Sequence, residues 1–145
     1  MWYNPIIKWL LRSPFHGIVS KNMMLIRYAG RKSGKSYSTP VNYLRLQDQE
    51  GEFLATTSLR ERVWWRNLRG GAQVAVRLQG QDFRATAEVI EEDQGVLEGM
   101  LAYFRQAPRL ARYYDVRVDE DGEPIPEEVA RAVQGRVFIK TRLVK

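Results

Sequence analysis

Met23 to Leu44 reads MMLIRYAGRKSGKSYSTPVNYL, and the rest of the chain can be organised around it. The run MMLIRYA is β-like and ends in GRKSGK, where Gly30 and Gly34 permit the positive φ angles of a tight turn. A second β-like run follows, from about Thr39 to Leu46, so the stretch predicts strand, turn, strand. Pro40 lacks a ladder donor and belongs at a strand start or on a sheet edge. The turn carries Arg31, Lys32, Ser33 and Lys35. Together with exposed backbone N–H groups these can grip a phosphate through charge-assisted hydrogen bonds. The same residues also suit a solvated basic hairpin tip. A Walker A loop is excluded, because Gly30 and Gly34 are too close together for its spacing.

Downstream, the polar stretch QDQEG separates this second run from Phe53–Thr57, which makes a hairpin the simplest connection. ERVWWRNL places Trp64 and Leu68 four apart, predicting a short helix closed by Gly70 and Gly71. Val74, Val76 and Leu78 alternate with polar neighbours, as do Phe83, Ala85, Ala87 and Val89 after Gly80, predicting two antiparallel strands. Leu97, Met100, Leu101 and Phe104 follow the spacing of a helix with one buried face, which Pro108 ends or offsets. A loop through DEDGEP leads to a brief helix starting at Pro126, and RVFIKTRL is a final strand. The sum is about six strands, mainly antiparallel and joined by hairpin-length connections, with helices at the start, middle and near the end. That is an α+β chain of one domain over residues 1–145, with a helical segment over 94–134. Doubly wound nucleotide folds are disfavoured.

Composition narrows the chemistry. With no cysteine, disulfides, thiolate nucleophiles and cysteine-based metal sites are excluded, which fits a reducing cytoplasm. His16 is the sole histidine, so neither a metal centre nor a serine–histidine mechanism is expected. A net charge of +6 favours anionic partners without choosing among them. Residues 1–20 open with MWYNPIIKWLLR, read as an amphipathic helix with Ile6, Trp9 and Leu10 on one face. It is too short to span a bilayer and lacks the features of a secretory signal. Its apolar face packs either on the body of the protein or on a lipid surface, the latter making the protein membrane-associated.

GRKSGK, then TPVNYL, FLATTS, WWRNL and the alternating AQVAVRL, in that order, resemble the deazaflavin-dependent nitroreductase and quinone reductase family over Met23 to Ile90. The resemblance implies a split β-barrel of the pyridoxamine-phosphate-oxidase-like, FMN-binding kind. It also implies coenzyme F420, with its anionic phosphate and oligoglutamate tail, in a groove across the barrel. Carried over residue by residue, it sets Arg31, Lys32 and Ser33 at the phosphate and lays Ser38, Thr39, Pro40, Val41 and Asn42 along the deazaflavin ring. Thr56, Thr57 and Ser58 match a second ring-contacting segment, and Val63, Trp64, Trp65 and Asn67 fall in the tryptophan-containing helix start. One of the paired indoles is expected in the core, since helix neighbours point different ways. Two positions depart from the family pattern: Tyr37 and Leu59 stand where basic residues are common. Arg60, Arg62 and Lys35 are the available substitutes, and the shifted basic set keeps flavin mononucleotide (FMN) open as the alternative cofactor.

In this family the helical segment after the barrel strands contributes aromatic residues to the acceptor site, and here it offers Tyr103, Phe104, Tyr113 and Tyr114. A tyrosine can stack on a ring while its hydroxyl donates to an oxygen gaining charge; the same residues also fit an apolar helix face and a core cap. No catalytic base is required, and Ser58, Tyr113 and Tyr114 are the expected positioning residues. The implied activity is hydride transfer from reduced F420 to a quinone, nitroaromatic or enone. An FMN-binding split-barrel reductase, a non-enzymatic flavin or F420 carrier, and a basic nucleic-acid-binding module are the alternatives. The last has least support, because the positive charge is dispersed and no nucleic-acid motif is present. Split barrels of this lineage pair, which points to a homodimer.

Overall fold

A computed structural model describes residues 22–144. The expected helix over residues 1–20 lies outside them. The basic turn joins strand β1 (Met23–Ala29) to β2 (Ser36–Asn42) in an antiparallel hairpin running from Met23 opposite Asn42 to Ala29 opposite Ser36. Gly30 is required there by a close approach: a Cβ would fall 2.6 Å from the Tyr37 ring.

The chain then makes β3 (Leu44–Asp48), β4 (Gly51–Leu59), a 3-10 helix (Trp64–Leu68), β5 (Ala72–Leu78) and β6 (Gln81–Ile90). Helix α1 (Asp93–Gln106), a second 3-10 helix (Pro108–Tyr114), α2 (Pro126–Ala132) and β7 (Arg136–Leu143) complete it. The strands form one antiparallel sheet in the order β2-β1-β5-β6-β7-β4-β3.

The strand count is seven, not the expected six, because the single strand expected over about Thr39–Leu46 is divided at Tyr43. Upstream of Tyr43 the chain pairs with β1; downstream it pairs with β4 at the far edge of the same sheet. Consecutive residues can lie on opposite edges only if the sheet curls until those edges meet, which makes it a split barrel. The closing contacts are the Thr56 hydroxyl donating to the Asn42 carbonyl at 3.0 Å and the Tyr43 N–H donating to the Asn22 carbonyl at 2.9 Å. Tyr43 itself is buried in the barrel core. Pro40 sits on edge strand β2, as expected, where a missing N–H is tolerated.

Two apolar clusters hold the molecule. One fills the barrel, with Ile26, Trp65, Leu68, Val76 and Ile139 among its fully buried members. The other lies between the outer face of β3, β4 and β7 and the helices, where Phe53, Val96, Met100, Phe104, Val129 and Phe138 meet. Strand β7 is covered on both faces, which is why it reads Val137-Phe138-Ile139 without alternation. On α1 the fully buried positions are Val96, Met100, Tyr103 and Phe104, while Leu97 and Leu101 lie at the margin.

Candidate functional site

The C-terminal half of β2 and the C-terminal end of β4 converge at one end of the barrel, beside the start of β7. Between them is a cavity of about 310 Å3 walled by the Thr39–Asn42 and Thr57–Leu59 segments and by Arg62, Trp64, Tyr103, Tyr114 and Arg136. That volume lies in the range of small-molecule sites.

The indole of Trp64 is held from two sides. Its N–H donates to the Ser58 hydroxyl at 3.1 Å, and that hydroxyl donates onward to the Leu59 carbonyl at 3.2 Å. Tyr28 packs at a tilt against the ring, with centroids 6.1 Å apart, and bonds through its hydroxyl to Thr39 at 3.0 Å. Burial pushes the Tyr28 hydroxyl up to about 12, so it stays protonated at physiological pH. Trp65 is the core member of the pair: it is 1% exposed, donates to the Leu59 carbonyl at 3.2 Å and does not line the cavity.

The basic turn is locked onto the 3-10 helix that carries both tryptophans. The Asn67 carboxamide accepts the Arg31 N–H at 3.0 Å and donates to the Trp64 carbonyl at 2.9 Å, and the Arg31 guanidinium donates to the Arg66 carbonyl at 3.2 Å. Ser33 is 3.3 Å from the Tyr37 hydroxyl and accepts the Lys35 N–H at 3.2 Å. Lys32 and Lys35 are exposed and form no ion pair among the described residues. The turn stands outside the cavity wall.

Of the sequence-predicted residues, Thr39, Pro40, Val41, Asn42, Thr57, Ser58, Trp64, Tyr103 and Tyr114 meet at the cavity. Ser38 is buried on β2, and Thr56 is spent on closing the barrel. Val63 is half exposed at the helix start. Arg60 turns away: its guanidinium donates to the Glu91 and Arg136 carbonyls, on the side where Arg69 also pairs with Glu91. The cations on the wall are instead Arg62 and Arg136. Arg62 is one of the substitute cations expected from the sequence and does reach the wall; Arg136, in the last strand, had no local signal.

A second cavity, of about 340 Å3, adjoins the first and shares Asn42, Tyr103 and Tyr114 with it; Tyr43, Leu110 and Tyr113 complete its aromatic wall. Burial raises the Tyr103 hydroxyl well above the ordinary tyrosine value, helped by its hydrogen bond with Tyr114. Tyr113 is 70% exposed at the rim. Among the described residues no cluster could hold a metal ion, and no helix is long and apolar enough to cross a membrane.

A curled antiparallel sheet with helices on one face and a cavity at the strand ends is a split barrel. Solved structures share it: a pyridoxamine 5'-phosphate oxidase-related, FMN binding protein from Nostoc punctiforme, at 11% identity and a TM-score of 0.55, covers 97% of this chain and 78% of its own. HutZ, the heme storage protein of Vibrio cholerae, at 14% identity and a TM-score of 0.54, covers 100% of this chain and 92% of its own. At such identities the likeness is one of fold. An F420-H2 dependent reductase, FDR-A, aligns at 18% identity with a TM-score of 0.45, over 83% of this chain and 94% of its own. The sequence model of the F420H(2)-dependent quinone reductase family matches residues 14–131, and the chain belongs to that family of F420-dependent oxidoreductases. Among curated proteins no sequence matches it.

Proposed function

We propose that the protein uses reduced coenzyme F420 to reduce a small unsaturated acceptor, of the quinone, nitroaromatic or enone type. The observation that carries this reading is the pair of joined cavities. One is walled by strand-end backbone, an anchored indole and two arginines, the other by tyrosines, and Tyr103 and Tyr114 stand between them.

The residues present suit the coenzyme. A flat ring system needs an aromatic wall and a few fixed polar groups at its edge, which Trp64 and the Thr39–Asn42 and Thr57–Leu59 segments supply. An acidic tail needs cations not already neutralised, and Lys32, Lys35 and Arg62 have no carboxylate partner among the described residues. When bound, the coenzyme supplies a hydride from C5 of its reduced ring. Trp64, fixed by Ser58 and Tyr28, gives the first cavity a rigid wall, so that orientation is set before any acceptor enters. Tyr103, kept protonated at physiological pH by burial, and Tyr114 beside it present hydroxyl donors at the boundary where acceptor oxygen gains charge. The aromatic lining of the second cavity excludes water from the acceptor.

Titration with oxidised F420 and, in parallel, with FMN, followed by tryptophan fluorescence, tests the reading. F420 is expected to quench saturably and more tightly than FMN, and Trp64→Phe to remove most of the quench. Tighter binding of FMN, or quenching that survives in Trp64→Phe, would refute it. Full binding with no turnover of any quinone, nitro compound or enone would identify a carrier.

A further inference from the structure

Several arginines of this protein are neutralised: Arg45, Arg69, Arg77, Arg105, Arg117 and Arg142 each pair with a carboxylate. Arg136 is different. It is only partly exposed, stands in the cavity wall at the start of β7, and has no carboxylate partner among the described residues. Its guanidinium carbon lies 4.8 Å from the centroid of the Tyr114 ring, and one guanidinium nitrogen is 3.5 Å from the Thr57 hydroxyl, a weak contact. A guanidinium stacked on a ring keeps its edge donors for another partner. Its positive field also reaches the Tyr103 hydroxyl, where it opposes the upward push of burial.

From this geometry we propose that Arg136 is the charge-compensating residue of the reaction, holding the oxygen that becomes anionic at the junction of the two cavities, and that it favours acceptors whose reduced form is a phenolate-type anion. This rests on the reading given above. Adding a hydride to a quinone-type acceptor transfers two electrons and one proton, and leaves one negative charge on oxygen until a proton from water neutralises it. Without a counter-charge, that oxygen would meet only the tyrosine hydroxyls and the Asn42 carboxamide at the junction. Arg62 also lines the first cavity, but it is exposed and so better screened by water.

A probe that needs no coenzyme tests the assignment. 4-Nitrophenol resembles the reduced acceptor, and its visible absorbance reports its own ionisation. Bound to the coenzyme-free protein, it is expected to ionise about one pH unit lower than in water, the shift a partly screened positive charge produces. Arg136→Gln should abolish that shift, Arg136→Lys should retain part of it, and Arg62→Gln should leave most of it. Thermal midpoints near wild type in every variant, and F420 quenching that stays saturable in the Arg136 variants, would show that the proteins are folded and keep the ring site. With coenzyme and a quinone, Arg136→Gln should lower kcat more than it raises KM. A wild-type protein that does not shift the probe, or a shift that survives in Arg136→Gln, overturns the inference. Failure of wild-type protein to bind F420 overturns instead the reading on which it rests.

Discussion

Gly99 lies inside α1, where replacing glycine by alanine ordinarily stabilises a helix by about 0.8–1 kcal/mol. Here the opposite is expected. A Cβ at this position would lie 2.6, 2.7 and 2.8 Å from three atoms of the Phe138 ring, closer than real contacts permit. Phe138 is fully buried and packs edge-on against Phe53 with centroids 6.4 Å apart, so its ring has no free direction to move. Relief has to come from α1 lifting off the sheet. Overpacking of this kind costs about 1–3 kcal/mol. Taking the upper value for a clash with an immobile ring, and subtracting the helix gain, leaves Gly99→Ala destabilised by about 2 kcal/mol. For a chain of this size that is a fall of about 4–8 °C in the thermal midpoint. Tyr103, one turn further along α1, should be carried away from the cavity junction, so turnover is expected to fall as well. Thermal and denaturant unfolding of Gly99→Ala, Phe138→Leu and the double variant form the assay. The double variant should lose clearly less than the sum of the single losses, because the smaller side chain accommodates the methyl group. A Gly99→Ala protein as stable as wild type, or additive losses, would refute the packing argument.

Removing the Ser58 hydroxyl in Ser58→Ala leaves the Trp64 indole N–H without its acceptor; a loss of about 1–3 kcal/mol in unfolding free energy and a changed tryptophan emission are expected, and unaltered emission would count against the anchoring role. The Thr141 hydroxyl is fully buried without a hydrogen-bond partner, so Thr141→Val should raise stability by about 1 kcal/mol in denaturant melts, and a loss would reveal a hidden partner such as a water. Asp48 is held far below the usual carboxylate range, first by Arg142 and then by Lys140, so its contribution is present above the unfolded-state value near ~4 and disappears as pH falls toward the lower folded-state value. The deficit of Asp48→Asn relative to wild type should therefore be widest at neutral pH and shrink below about pH 4 in thermal melts, and a constant deficit would exclude the linkage.

Local patterning carried much of the fold. Period-two alternation located β5 and β6, the two glycines located the β1–β2 turn, and the helical spacing located α1. The division of one apparent strand at Tyr43 was not legible, because a strand that leaves one sheet edge for another keeps its β-like residues throughout. Neither glycine nor a polar break marks the corner; the cause is tertiary, in the meeting of edges at Asn42 and Thr56. The site divides along the same line. Its contiguous parts, Thr39–Asn42, Thr57–Ser58 and Trp64, were readable, because each is a short run carried on one element.

Arg60 and Arg136 show what a run of residues cannot convey. By sequence Arg60 is adjacent to the ring segment and Arg136 is 76 positions away, yet the Arg60 guanidinium is bound to the carbonyl of Arg136 and points toward Glu91 while Arg136 takes the place on the wall. The pairing of β4 with β7, which sets Leu59 opposite Arg136, brings this about. Closing the barrel through the last strand therefore does more than complete the sheet: it delivers an unpaired cation to a cavity whose other walls are neutral backbone and aromatic rings, Arg62 at the mouth excepted. A polar contact near reacting atoms acts most strongly where water is scarce, so the charge that matters most there is one that no local motif encodes.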